Sequence, residues 1–153
     1  MPSFAIWQFF HLVALLYWVG GLILLGFYWL PRWPRMNPSR QAWENLQEIL
    51  KGFSLGGVIA ASLLLLSGYA MVLGMGGFAV LSPAIWLMVI LGTMVALGAF
   101  HLFFAAHGRL RKALAQADMV MAEKSVAKYA AFARFLAILS FLLTLIGVLG
   151  VYR

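Results

Sequence analysis

Three histidines, His11, His101 and His107, are the side chains of the apolar stretches best suited to ligate a metal or carry a proton near neutral pH. Much other chemistry is excluded by absence. The chain has no cysteine, which removes thiolate metal sites, thiol nucleophiles and disulfides. Its four acids, Glu44, Glu48, Asp118 and Glu123, all fall outside the apolar runs, so a carboxylate proton relay inside a membrane is not available. There is no phosphate-binding Gly-Lys-Ser/Thr loop, no dinucleotide fingerprint and no acid–base carboxylate pair. Hydrolysis and ATP-driven transport are set aside on that basis, and no independent catalytic activity is expected.

Spacing then separates the histidines. At 1.5 Å per residue, His11 lies about 10 Å below the start of the first apolar run, and His101 about 25 Å down the third. Their depths differ by about 15 Å on the same rise, so they cannot bind one haem iron from opposite faces. His107 falls at the polar edge of its run and reads as an interfacial, solvated side chain. His11 has softer neighbours. Met71 and Met88 fall at similar depth, with Met75 slightly higher. A neutral imidazole with thioethers suits Cu(I), or the iron of a His–Met haem b. The candidate ligands are therefore His11, Met71 and Met88, with His101 as a further candidate. The blander reading makes the methionines gap-fillers and His11 a buried imidazole bonded to a backbone oxygen, Tyr17, Tyr69 or Gln8.

These residues need a scaffold, and composition names its class. Hydrophobic residues make up 65% of the chain and charged residues 10%, which is membrane-protein and not soluble-globule composition. Apolar runs at about residues 4–30, 53–75, 83–108 and 129–152 are each long enough for a core of roughly 30 Å. Together they account for all 153 residues as one all-α, up-down bundle of four transmembrane helices. The first run is too long for a signal peptide and lacks a basic start, so it reads as a retained span. Ten of the eleven Lys and Arg residues fall in two stretches, one after the first run and one from the end of the third run to Arg134 at the start of the fourth. By the positive-inside rule both stretches are cytoplasmic and both termini lie outside, on the periplasmic side of a bacterial inner membrane.

Local signals refine this picture. Asn37-Pro38-Ser39 marks a helix start, and residues 38–50 alternate apolar and charged faces as a short amphipathic helix lying on the cytoplasmic surface. Ser82-Pro83 is an N-cap with a first-turn proline for the third span. Residues 109–128 are polar and Ala-rich and continue that helix before a turn. Arg134 is placed to snorkel near the start of the fourth span. Arg32, Arg35, Arg109, Arg111 and Lys112 flank the spans where anionic lipid headgroups would lie, a placement that favours lipid over nucleic acid. Gly57 with Ala61, Gly92 with Ala96, and Gly147 with Gly150 fit close helix packing. Most tryptophans fall near span ends, as an interfacial belt requires. Trp18, mid-span beside Val19-Gly20-Gly21, is the exception.

That exception carries a family likeness. The stretch from Phe10 and His11 through Tyr17, Trp18, Gly20 and Gly21, closed by Pro31, resembles the first helix of the copper resistance protein D (CopD-like) membrane family. Lys51-Gly52-Phe53-Ser54 through Ser67-Gly68 is similar to that family's next helix. The likeness covers roughly the first half of the chain. It implies an inner-membrane protein handling copper, with His11 as the carried-over position. The His-to-Trp spacing also resembles haem-associated membrane proteins of the HemJ type, although those place Pro-Arg closer after the Trp than Pro31-Arg32 stand here. A different class of role, a non-catalytic accessory subunit packed against a larger respiratory or metal-dependent membrane complex, is compatible with the same composition.

Overall fold

The computed structural model describes residues 2–151, except the side chains of residues 2, 3, 103 and 149–151. Gly150, Tyr152 and Arg153, and how the chain begins at Met1, therefore lie outside what is described. The first helix, α1 (Pro2–Ile23), runs without a break into a π-helical turn at Leu24–Trp29. A short 3-10 turn, Trp33–Met36, and Asn37 in the left-handed region (φ 45°) reverse the chain into α2 (Arg40–Gly74). After an uncharged connection come α3 (Pro83–His101), a second π-helical turn (Leu102–Ala106) and α4 (His107–Ala115), continuous with one another. The last element is α5 (Met119–Val151). No strand occurs among the described residues.

Helix ends follow from local chemistry. Ser39 Oγ accepts from the Ala42 N–H at 3.2 Å, and Ser82 Oγ from that of Ile85 at 3.4 Å, with Pro83 in the first turn. At the end of α2 the Gly77 N–H bonds Val72 O and the Gly76 N–H bonds Leu73 O, a Schellman stop with Gly76 at φ 108°. The end of α4 repeats this pattern: Asp118 N–H bonds Ala113 O, and Ala117 N–H bonds Leu114 O. Here, however, the left-handed position (φ 54°) is held by Ala117. Its Cβ makes that conformation unfavourable by about 1–2 kcal/mol. Ala117→Gly is therefore expected to stabilise the protein by about 1 kcal/mol, read as a higher unfolding midpoint in detergent. An unchanged or lower midpoint would refute the strain.

Four helices are long and apolar enough to cross a membrane, and the chain is a multi-pass membrane protein. They pack in sequence, α1 on α2, α2 on α3, α3 on α5 and α5 on α1, as an up-down four-helix bundle. The outward faces carry large apolar side chains such as Leu16, Leu24, Leu66, Met94 and Phe135, all exposed as lipid contact requires. The inward face of α1 is Ala14, Trp18, Leu22 and Leu25, each at most 4% exposed. Gly26, inside the first π turn, lets α1 meet the fourth span closely. A Cβ built there would stand 2.9 Å from the Arg134 backbone nitrogen.

Paired contacts set the level of the membrane. Ser54 Oγ and Tyr129 OH share a buried hydrogen bond of 2.8 Å, and Gly26 faces Ala130 and Arg134 at nearly the same height. From Ser54 to Gly74 α2 rises about 30 Å, the thickness of a hydrocarbon core. The turns of α2 before Ser54 and of α5 before Tyr129 are additional to that length and pack with α4. This corrects the expectation for residues 38–50. They are not a separate helix lying on the surface but the first turns of α2 itself. Their apolar face, Trp43, Leu46 and Leu50, is buried inside the protein, while Ile49 alone stays exposed.

The physical reason is that α4 and the first turns of α5 supply a protein surface there. Leu110, Ala113, Leu114, Ala122 and Val126 bury against the same core. The turn falls at Gln116–Asp118, earlier than the sequence suggested, and α5 starts at Met119 with Asp118 Oδ1 capping the Met121 N–H at 2.9 Å. The bundle thus ends in a projecting three-helix basic end, opposite an apolar end formed by Phe4, the Met75–Pro83 connection and Val148.

At the basic end Trp29, Trp33 and Trp43 stack edge-to-face, with centroids 5.6 and 6.3 Å apart. Arg32 donates to Tyr28 O at 2.7 Å and lies 4.3 Å over the Tyr28 ring. Arg40–Glu44 and Lys51–Glu48 are exposed ion pairs on α2. Arg35, Arg109, Arg111 and Lys112 point to solvent.

Candidate functional site

The half of the bundle toward the apolar end encloses a cavity of ≈ 380 Å³. All four spans line it. His11 reaches it from α1, Met71 and Met75 from α2, Met88 and Thr93 from α3, and Ser140 and Thr144 from α5. The candidate ligands His11, Met71 and Met88 thus share one chamber, on three different helices. No charged side chain lines it.

His11 is fixed by a residue the sequence analysis did not single out. Its Nδ1 lies 2.9 Å from Ser67 Oγ, while the Ser67 hydroxyl donates to Leu63 O at 2.5 Å. The Leu64 backbone oxygen also hydrogen-bonds the ring. With the Ser67 proton on the Leu63 carbonyl, the imidazole donates from Nδ1 and keeps its lone pair on Nε2, one of the two tautomers open to it. That is the tautomer a metal ligand needs. Tyr17, Tyr69 and Gln8 do not bond His11. Tyr17 OH donates to Phe53 O at 3.3 Å, and Tyr69 OH pairs with Thr93 Oγ1 at 3.0 Å. A usable signal existed in the sequence: Ser67 and His11 both lie about 10 Å from the apolar end on helical rise, and a serine in an apolar helix seeks a partner at its own depth.

Glycines make room for the sulfur and the ring. A Cβ on Gly147 would come within 2.7 Å of Met88 Sδ, and one on Gly68 would touch His11 Cε1 at 3.5 Å. Gly57 serves Trp18, whose Cζ3 would lie 3.0 Å from an added Cβ. Ala61, Gly92 and Ala96 line the cavity, and Gly92 has open space where a side chain would go. Gly92 thus contributes volume, while Ala96 packs in the core.

Trp18 floors the chamber. It is 2% exposed and its Nε1 donates to Ser140 Oγ at 3.2 Å. Neither other histidine comes near. His101 is exposed on the outer surface of α3, edge-on to Phe132 with centroids 5.1 Å apart. His107 sits at the basic end with Nδ1 buried and unpaired. Among the described residues no three His, Cys, Asp or Glu side chains gather as a metal site, so a metal here would depend on thioethers.

Comparison with known protein families, with curated proteins and with solved structures found no match. The site is therefore read from its own chemistry. One neutral imidazole nitrogen and the thioethers of Met71, Met75 and Met88 form a soft donor set that fits Cu(I). Haem b fits less well: one imidazole lines the chamber, and no Lys or Arg lines it to receive propionates.

Proposed function

We propose that this chain is a CopD-like inner-membrane protein that binds Cu(I) in the cavity near the outer face of the membrane, with the basic end in the cytoplasm among anionic headgroups. The observation that carries this reading is that His11, Met71 and Met88 line one chamber with no charged side chain among the described residues, the His11 ring being held by Ser67. Cu(I) is the cargo. The likeness of residues 10–31 to the CopD-like first helix points the same way.

The test is Cu(I) competition against a chromophoric chelator, using purified protein in mild detergent. Wild type is expected to hold one equivalent. His11→Ala should weaken binding by more than the ~100-fold that loss of an outer-shell partner costs, with unchanged expression and elution volume. Equal affinity in wild type and His11→Ala would overturn the assignment.

A second reading, an accessory subunit of a larger membrane complex, is favoured by one feature. His101 is exposed at the height of Phe132, about 5 Å inside the apolar layer by helical rise. A lipid-facing imidazole is unfavourable there, and a neighbouring chain would shelter it. The same purification decides between the two: a metal-free chain held in a larger complex supports the subunit.

A further inference from the structure

We propose that the cavity is a one-ended vestibule, exchanging Cu(I) only through the apolar end of the bundle. The cargo rests on the copper reading above; the access route rests on geometry alone.

The lining residues mark the mouth and the floor. Phe4, Met75, Ile85 and Val148 stand at the helix ends of the apolar end, and the lining reaches no deeper than Trp18, Ala61, Ala96 and Ser140. Met75 is 41% exposed there. The floor is Trp18, bonded to Ser140. Beneath it Leu22 and Leu102 are at most 1% exposed, and the Ser54–Tyr129 bond closes the next level.

From Trp18 to Gly26 is about 12 Å of helix rise, and among the described residues no methionine or histidine points into that core. His101, at those heights, is exposed on the outer surface. A cation leaving His11 inward would lose all ligands in an apolar medium, which is prohibitive. It would also approach the end that carries nearly all the chain's Lys and Arg residues, whose field opposes it. Among the described residues, return through the mouth meets neither barrier.

The absence of cysteine makes a direct test possible, since each introduced thiol reports alone. Thr144→Cys places one in the cavity, away from the proposed ligands. Exposed Val80→Cys marks the apolar end and exposed Gln116→Cys the basic end. A charged, membrane-impermeant thiosulfonate is applied to right-side-out and to inverted vesicles. Thr144→Cys is expected to react from the Val80 side at least tenfold faster than from the Gln116 side. Reaction from the Gln116 side, or from neither, overturns the vestibule.

In parallel, proteoliposomes loaded with a Cu(I) chelator and supplied with external Cu(I) and ascorbate should show luminal copper no higher than protein-free vesicles. A luminal signal above that control, lost in His11→Ala, also overturns it. One-sided labelling of a chain that fails to bind Cu(I) in detergent would sink the cargo and leave the vestibule standing.

Discussion

Trp18→Ala is expected to destabilise the bundle by about 3–5 kcal/mol, the largest stability loss anticipated for a single substitution here. Trp18 is, with Trp43, the bulkiest of the fully buried side chains among the described residues. Gly57 has no side chain where the indole lies, and Ser140 Oγ accepts its N–H. Removing the ring joins its volume to the existing cavity, and the helices cannot collapse onto it without losing their other contacts. Trp18→Phe keeps most of the volume and gives up mainly the hydrogen bond, so about 1–2 kcal/mol is expected. Unfolding followed in detergent by denaturant titration gives both values. An alanine variant as stable as wild type would mean that Trp18 is not a core residue, and the floor of the chamber would go with it.

Ser67→Ala should weaken Cu(I) binding about 10–100-fold while leaving the fold nearly intact. Ser67 touches no metal in this scheme. It positions His11 by accepting the Nδ1 proton, which holds the ring against Gly68. Without it the imidazole can turn or take the other tautomer, and binding must first select the competent one. Leu63 O, which receives the Ser67 proton, keeps its place in the α2 helix, so little stability is at stake. Ser67→Thr retains the hydroxyl and should recover most of the affinity. Chelator competition on the three proteins separates the cases: equal affinity in Ser67→Ala and wild type would remove the positioning role, while loss in Ser67→Thr as well would point to packing instead.

Much of the candidate site was legible before the fold. Helical rise alone put His11, Met71 and Met88 at one depth, and all three line one cavity. The same arithmetic kept His101 apart from His11. What the rise could not supply was the angle about each helix axis. It therefore could not show that Ser67, and not a tyrosine or Gln8, meets His11, or that Gly92 faces empty volume.

The apolar face of residues 38–50 shows the same limit at larger scale. A stripe of Trp43, Leu46 and Leu50 opposite charges looks identical whether it lies on lipid or on protein. It went to protein because α4 and the start of α5 project alongside, an alignment set by where Ala117 and Asp118 turn the chain. By itself the sequence determined four apolar spans, the cap at Ser82, and the gathering of cations at one end, because these depend on hydropathy and local backbone chemistry. Only the tertiary structure decided that Ser67 meets His11, that Trp18 closes the chamber below it, and that the basic end is a packed three-helix extension. Those outcomes depend on which faces of separate helices meet.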